Sequence, residues 1–265
     1  MTSLVQQIDH IVIEAADEQA VFEWFTAALA LPVAWPVAHW GDIHEGGVCV
    51  GDVNLGCNHA LDPSSDPAPA IRAVALQPAG GFETVLPDLD RRGIACSDAF
   101  SSPDGMDLPE ELLDLPWAKG WATSVVMPWR QGVPVAFFCL YNHDCRARRA
   151  QDVDRLRSAN GGMLGIKRLR EIVIESTDPV TDIDAWRRLL SPVPEPEPGL
   201  FSLESGPDLR VVSGGQDRFA TLVFEVESRA GAAAGLDQLG IRYENKDLIH
   251  LEPADALGLD VRLAG

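Results

Sequence analysis

The segment IDHIVIEAAD at residues 8–17 is written again as LREIVIESTD at residues 169–178. The tetrapeptide IVIE stands 161 positions further along in the second copy, from Ile11 to Ile172. A short run of β-branched residues of this kind predicts a buried strand. Because the match recurs at a fixed distance and is followed by further similarity, it indicates that a whole structural unit has been duplicated.

The similarity continues into the residues behind the strand. Asp17 recurs as Asp178, and the apolar residue Phe25 falls on Trp186. An acidic residue directly before an amphipathic pattern is typical of a helix N-cap. Each copy is therefore predicted to be a strand followed by a helix that packs one apolar face on the core.

Composition narrows the class of protein. The 265 residues include 46% hydrophobic and 23% charged residues, which is typical of a globular protein with a core. The net charge of −19 argues against nucleic acids and anionic membranes as partners of this acidic protein. The sequence contains no apolar run long enough to predict a transmembrane helix, and no signal peptide is expected. Five cysteines without CxxC spacing favour reduced thiols and a cytoplasmic location.

The same order of elements is predicted four times along the chain. Each unit follows the pattern βαβββ, so the expected fold class is α+β. The first two units, residues 7–60 and 70–143, are expected to form an N-terminal domain over residues 1–145. Residues 146–166 are interpreted as a linker, and residues 167–265 as a C-terminal domain.

This arrangement resembles the vicinal oxygen chelate superfamily, in particular its glyoxalase-like and bleomycin-resistance-like members. The motifs that carry the resemblance are DHIVIEAAD with its helix, LREIVIESTD followed by DAWRRLL, and ATLVFEV with LDQLGI. The resemblance covers nearly the whole chain, and a layout with two tandem domains is similar to that of extradiol dioxygenases. It implies two glyoxalase-like domains in which paired units form cupped mixed sheets around a cavity. The superfamily includes both enzymes and binding proteins, so the fold alone does not give the function.

In catalytic members of the superfamily the cavity holds a divalent metal. The resemblance implies His, Gln or Glu ligands at the start of the first strand and near the end of the last strand of each unit. In this sequence the four strand starts carry His10, Arg72, Glu171 and Thr221, and the expected carboxylate position of the first unit falls on Gly56. The usual ligand set is therefore incomplete.

His10 is the principal candidate for a functional residue. It is interpreted either as a metal ligand or catalytic acid–base, or as a histidine that is only hydrogen-bonded within its strand. His44 and Glu45 are candidates to complete a metal site with His10, although no spacing requires it. The ion would be Fe, Mn, Zn or Ni, and the sequence also allows a site without metal.

Five residues, one of which is again His44, are candidates for substrate binding. Arg72 would suit a carboxylate if it faces the cavity, and its alternative is a salt bridge with a nearby acid. His39, Trp40 and His44 belong to a polar segment interpreted as a loop at the mouth of the cavity. Phe138 is one of several aromatic residues that would line an apolar cavity.

Two functions are compatible with these observations. The first is a lyase, isomerase or dioxygenase-like enzyme that uses His10 on a small oxygenated, carboxylated or aromatic molecule. The second is a metal-free protein that binds and sequesters such a molecule without catalysis. In both cases the C-terminal domain is expected to be a degenerate copy, and the protein is expected to be a monomer or a homodimer.

Overall fold

The computed structural model describes residues 3–40, 43–60, 68–101, 120–142 and 145–265. Within these residues the chain forms two mixed sheets, one of eight strands and one of seven, with helices packed against them. The α+β fold class is thereby confirmed. None of the described helices is both long enough and apolar enough to cross a membrane.

The first sheet is built from two consecutive units that meet at its centre. Its strand order is β2-β3-β4-β1-β5-β8-β7-β6, so β1 and β5 are the antiparallel central pair. The elements are β1 (Val5–Ala15), α1 (Glu18–Glu23), β2 (Val33–Trp40), β3 (Ile43–Cys49), β4 (Asn54–His59), β5 (Ala70–Pro78), α2 (Phe82–Arg91), β6 (Phe100–Ser101), β7 (Trp121–Val126) and β8 (Val135–Tyr141).

The second sheet repeats this plan in shortened form, with the order β10-β11-β9-β12-β15-β14-β13. Its third unit has two described strands after the helix where the other units have three. The elements are α3 (Arg146–Ser158), which precedes the sheet, and β9 (Ile166–Ser176), α4 (Pro179–Leu190), β10 (Leu200–Phe201), β11 (Asp208–Ser213), β12 (Arg218–Val226), α5 (Arg229–Leu239), β13 (Tyr243–Asn245), β14 (Ile249–Leu251) and β15 (Asp260–Ala264).

The repeated IVIE motif occupies the same place in both sheets. Ile11 lies opposite Leu55 on the parallel neighbour of β1, and Ile172 lies opposite Leu209 on the parallel neighbour of β9. Both isoleucines are fully buried in a hydrophobic core that is continuous through the two halves. Burying such side chains stabilises the fold by about 1.5–3 kcal/mol each, which explains why this part of the motif is the same in both copies.

The acidic residue at the end of each copy caps the following helix, as predicted. An Asp17 oxygen accepts a hydrogen bond from the backbone N–H of Ala20 at 2.9 Å. An Asp178 oxygen accepts one from Thr181 at 3.3 Å. Both bonds satisfy a backbone donor that has no partner inside the first turn of a helix.

One local prediction is wrong. The segment from His39 to Glu45 was expected to be a loop, but β2 extends to Trp40 and β3 begins at Ile43. The two strands form an antiparallel hairpin in which His39 lies opposite His44. Side chains in a strand alternate between its two faces, and this alternation decides which of the candidate residues meet.

Candidate functional site

A cavity of about 180 Å³ lies against the first sheet. Along β1, Ile11 and Ile13 are buried in the core, whereas His10 and Val12 line this cavity on the other face of the strand. The aromatic part of the wall consists of Trp35, Trp121, Phe137 and Tyr141. The polar part consists of His10, Glu45, Asn58 and Thr123.

His10 is held by the residue directly before it. The pairing of β1 with β5 shifts register between Ile8 and His10, and such a bulge changes the direction of the side chains around it. Asp9 is 5% exposed, and its Oδ2 lies 2.7 Å from Nδ1 of His10. The same oxygen accepts a hydrogen bond from the Tyr141 hydroxyl at 2.7 Å. The sequence therefore folds into a buried Asp–His pair at the cavity wall.

Arg149 of α3 completes the environment of Asp9. Its guanidinium donates to the Asp9 carboxylate and, at 2.7 Å, to Oε1 of Gln77. Burial by itself would raise the pKa of Asp9, but Arg149, His10 and Tyr141 together hold that pKa well below its usual range. Asp9 is consequently ionised, and the tautomer that fits this contact has the Nδ1–H of His10 donating to it.

The charge of Asp9 controls the basicity of His10. Burial would lower the pKa of His10, but the hydrogen bond and the charge of Asp9, with a contribution from Glu45, raise it above 6.5. Because Nδ1 is engaged with Asp9, Nε2 is the ring nitrogen available to a molecule in the cavity. A histidine oriented in this way by a carboxylate can accept and return a proton.

Glu45 supplies a second titratable group to the same wall. It lies opposite Asn58 on β4, whose side-chain amide donates to its Oε2 at 3.3 Å. Burial raises the pKa of Glu45, although the charge of His10 and the bond from Asn58 oppose this. His10 and Glu45 of the cavity wall are therefore both more readily protonated than usual.

Two buried polar atoms of the wall residues lack a hydrogen-bond partner among the described residues. The Oδ1 of Asn58 is buried and has no hydrogen-bond partner among the described residues. The Trp35 indole N–H is close enough to Glu45 to lower the pKa of that carboxyl, yet it too completes no hydrogen bond with a described residue. Buried polar groups normally find partners. Both atoms are covered by their neighbours in this structure, so a ligand would have to displace these side chains slightly to bond with them.

The predicted metal set of His10, His44 and Glu45 is divided between two faces of the sheet. Glu45 lines the cavity with His10, whereas His44 approaches Glu18 at the start of α1, with 3.8 Å between Nδ1 and Oε1. Glu18 also accepts from Nδ1 of His59 at 2.9 Å if that nitrogen is protonated. Glu18, His44 and His59 form a cluster whose ligand atoms lie within 4.8 Å of one another, so that it could hold a metal ion.

The other candidates for substrate binding lie elsewhere. Arg72 is not part of the cavity wall, and its Nε lies 3.7 Å from Oε2 of Glu14. Phe138 is fully buried in the core, and the cavity is lined by its neighbour Phe137 instead. The side chains of His39 and Trp40 lie outside the described part of the structure.

The cavity wall does not provide the three metal ligands that the resemblance implies. Within the described residues it offers one imidazole, from His10, and one carboxylate, from Glu45. Asp9 is already bound by Arg149, Tyr141 and His10. Three protein ligands are the usual minimum for a catalytic zinc or non-haem iron site, so the described residues of this cavity do not fit such a site.

Cys139 also lines the cavity, but its thiol is not a candidate nucleophile. Burial raises the pKa of Cys139, with a further contribution from the charge of Asp9. The thiolate is the reactive form of cysteine, and this environment disfavours it. The same reasoning holds for Cys57, whose pKa is also raised by burial.

The equivalent positions of the second sheet are occupied by ion pairs. Glu171, which replaces His10, receives a hydrogen bond from Arg210 at 2.9 Å. Asp260 receives one from Thr221 at 2.7 Å and another from Arg262 at 2.8 Å. These side chains satisfy one another, in contrast to Asn58 Oδ1 and the Trp35 N–H in the first sheet.

Sequence reasoning missed the residues that orient His10. Asp9 stands inside the repeated motif, and a charged residue within an otherwise apolar strand is a signal that could have been used. Tyr141 ends an apolar strand and gave a weaker signal. Arg149 lies in the segment interpreted as a linker, and its contact with Asp9 spans 140 residues, so no local pattern indicates it.

Comparison with known proteins relates this chain to others by fold. No family model and no curated protein matches the sequence. A solved structure of a hypothetical protein from Staphylococcus aureus matches 97% of this chain and 98% of its own, with a TM-score of 0.63 and 8% identity. A variant of homoprotocatechuate 2,3-dioxygenase from Brevibacterium fuscum matches 99% of this chain and 72% of its own, with a TM-score of 0.62 and 10% identity.

The complex of that dioxygenase with 3,4-dihydroxyphenylacetate matches 98% of this chain and 80% of its own, with a TM-score of 0.61 and 11% identity. Such low identities establish a shared fold and nothing finer. The present chain therefore has the fold of an extradiol ring-cleaving dioxygenase, and its chemistry must be argued from its own residues.

Proposed function

We propose that this protein is a member of the vicinal oxygen chelate superfamily that binds a small, oxygenated, single-ring molecule in the His10 cavity and transfers protons on it. The observation that carries this proposal is the buried Asp9–His10 pair, with 2.7 Å between Oδ2 and Nδ1, at the wall of an aromatic cavity. The N-terminal domain of residues 1–145 is the functional one in this proposal. The cytoplasmic location and the choice between monomer and homodimer stay predictions.

The chemistry follows from the protonation of the two titratable groups. With Nδ1–H held by Asp9, the neutral imidazole of His10 offers Nε2 to a ligand hydroxyl or an acidic C–H. Proton removal converts His10 to the imidazolium, which the charge of Asp9 stabilises. Glu45, whose pKa is raised by burial, can donate a proton or a hydrogen bond to an oxygen of the same molecule.

Size and shape select the class of ligand. A volume of about 180 Å³ is smaller than the roughly 300–1,000 Å³ of sites for drug-sized ligands. It exceeds the roughly 150 Å³ of an engineered cavity that holds one benzene ring. The ring of Phe137 lies edge-on to that of His10 at 5.7 Å between centroids. Aromatic walls of this kind favour a flat ligand.

The polar groups determine where the ligand must carry oxygen. Asn58 Oδ1 accepts a hydrogen bond and the Trp35 N–H donates one, and neither has a hydrogen-bond partner among the described residues. A hydroxyl group can serve both because it donates and accepts. A phenol or catechol fits this arrangement better than a hydrocarbon, which would leave both atoms unsatisfied.

The ions considered for this cavity, Fe, Mn, Zn and Ni, are not part of the proposed mechanism. One imidazole and one carboxylate on the wall fall short of the usual three ligands. The same shortage favours a second candidate function, which is binding and sequestration of the same ligand class without catalysis. The two candidates share the cavity and differ only in whether His10 moves a proton.

The test combines binding and proton exchange. Catechol, 3,4-dihydroxyphenylacetate and 4-hydroxybenzoate are titrated into the protein, with the fluorescence of the cavity tryptophans as the signal. We expect saturable binding to one site for at least one probe. Ionisation of the probe's hydroxyl makes its ortho and para carbons easier to protonate, so exchange of those ring protons with deuterated water, followed by NMR, should slow by about 100-fold or more in His10→Gln. His250→Gln, which alters a histidine of β14, is the matched control.

Failure of all three probes to bind would contradict the proposed site. Binding with an exchange rate equal to that of free probe would leave sequestration as the function. Binding and exchange that persist unchanged in His10→Gln would remove His10 from the mechanism.

A further inference from the structure

We propose a second site, separate from the His10 cavity, in which Glu18, His44 and His59 bind a divalent first-row transition metal such as Zn²⁺. Glu18 begins α1, His44 belongs to β3, and His59 ends β4. The ion would thus join three segments that are distant in sequence and adjacent in space.

The distances suit a small ion. The Nδ1 of His59 lies 2.9 Å from one oxygen of Glu18, and the Nδ1 of His44 lies 3.8 Å from the other. With metal–ligand bonds near 2.1 Å, tetrahedral ligand atoms are about 3.4 Å apart. The two observed separations lie on either side of that value. All three ligand atoms lie within 4.8 Å of one another, so small side-chain movements would bring them to the spacing that a bound ion requires.

The cluster is on the opposite side of the β3–β4 hairpin from the cavity. Glu45 and Asn58 line the cavity, and their chain neighbours His44 and His59 point to the other face because strand side chains alternate. Gly46 shares the face of His44, and a Cβ at this glycine would meet Phe22 of α1 at 2.8 Å. The cluster therefore lies beside α1, and its ligands are independent of the residues that orient His10.

The donor set determines the class of ion. Two imidazoles and one carboxylate favour Zn²⁺, Ni²⁺ or Co²⁺, whereas Mg²⁺ and Ca²⁺ prefer sites made of oxygen alone. The side chain of Glu18 is 10% exposed, so its carboxylate needs a cationic partner or hydrogen-bond donors. The side chains of His44 and His59 are 34% and 41% exposed. Coordination positions that no protein ligand fills would therefore face water.

The expected consequence is a metal-dependent increase in stability. An ion that binds the folded chain alone shifts the unfolding equilibrium in favour of the folded state. Because the cluster joins the start of α1 to β3 and β4, a bound ion should stabilise the N-terminal sheet in particular. The function proposed for the His10 cavity does not depend on this metal site, so either proposal can be disproved without affecting the other.

The test uses untagged protein that has been treated with a chelator and then titrated with Zn²⁺ in a calorimeter. We expect one equivalent of Zn²⁺, confirmed by elemental analysis after buffer exchange, and a higher Tm with Zn²⁺ but not with Mg²⁺. Glu18→Gln, His44→Ala and His59→Ala should each weaken binding by at least about tenfold. His10→Gln and His250→Ala are the matched controls and should leave the stoichiometry and affinity unchanged.

A measurement on the unaltered chain covers the case in which a variant does not fold. Diethyl pyrocarbonate modifies exposed imidazoles, and Zn²⁺ should protect His44 and His59 together while leaving His250 reactive, as read by peptide mass spectrometry. No retained Zn²⁺, Zn²⁺ that persists in a folded His44→Ala/His59→Ala variant, or Zn²⁺ lost in His10→Gln would each overturn the proposal.

Discussion

The Glu45 carboxylate lies beside Gly56 of the neighbouring strand β4. Its Oε1 lies 3.6 Å from the point where a Cβ of Gly56 would stand, and the Oδ1 of Asn58 lies 3.0 Å from that point. Gly56 is the position where the family resemblance implies a carboxylate. The carboxylate of this site is therefore supplied by β3, one strand away from Gly56.

Glu45→Gln should stabilise the protein at neutral pH while it impairs the site. Burial raises the pKa of Glu45, so the unfolded chain releases this proton at lower pH than the folded chain does. Ionisation therefore favours unfolding as pH rises above about 4.5. Urea unfolding of Glu45→Gln should show a gain over the wild type at pH 8 that disappears toward pH 4. The exposed substitution Glu197→Gln should show no such gain, and a loss in Glu45→Gln at pH 8 would contradict this account.

His10 should titrate above 6.5, and removing the charge of Asp9 should lower its pKa. NMR titration of the imidazole C–H signals measures the pKa of His10 in the wild type and in Asp9→Asn. The His10 signal is assigned by its loss in His10→Gln. Because the folded pKa of His10 is raised, the stability it contributes is full below about pH 6.5 and is lost as pH rises through the folded value. The wild type should therefore exceed His10→Gln in stability by more at pH 6 than at pH 9. An unchanged pKa in Asp9→Asn would show that Asp9 does not control this histidine.

Arg149→Met should be far more damaging than a matched change at a surface pair. The side chains of Arg149 and Asp9 are 13% and 6% exposed, so loss of the guanidinium leaves a buried carboxylate unpaired. We expect a loss of about 3–5 kcal/mol in the free energy of unfolding. Arg187→Met removes a partner of Glu195 from a pair in which the arginine is 49% exposed, and should cost about 0–1 kcal/mol. The double variant Asp9→Asn/Arg149→Met should recover part of the loss in a double-mutant cycle.

Much of the fold can be predicted from local pattern. The IVIE motif predicted a buried strand because its side chains must pack, and Asp17 predicted the start of the helix because a free backbone donor needs a partner. The third unit departs from the general βαβββ pattern, with two described strands after its helix in place of three. Where the chain is duplicated, the sequence thus predicts what packing requires in both copies.

The site could be predicted only in part, for two physical reasons. His10 was a candidate because it interrupts the repeat, and the structure places it on the cavity wall. The sequence makes His44 and Glu45 candidates for one metal site with His10, but adjacent residues of a strand face opposite sides. The role of Arg149 could not be predicted from the sequence, because its contact with Asp9 depends on how α3 packs on the first sheet.

The two helix caps allow a test of the duplication at the level of energy. Asp17→Ala and Asp178→Ala each remove a side-chain acceptor from the first turn of a helix. Each change should lower the free energy of unfolding by about 0.5–2 kcal/mol, measured by urea denaturation. The two losses should add in the double variant because the caps share no contact. A loss of stability in Asp17→Ala but not in Asp178→Ala would mean that the second copy no longer depends on its cap.

Trp35→Phe should weaken ligand binding by about 2- to 12-fold, since a neutral hydrogen bond contributes about 0.5–1.5 kcal/mol. The change removes the indole N–H from the cavity wall and keeps an aromatic ring there. Trp186→Phe is the matched control, because Trp186 Nε1 also has no hydrogen-bond partner among the described residues but belongs to a fully buried core side chain. The Trp186→Phe variant should be less stable than the wild type. Its affinity for 3,4-dihydroxyphenylacetate, measured by calorimetry, should stay at the wild-type value. Equal affinities in the two variants would mean that the Trp35 N–H does not bind the ligand.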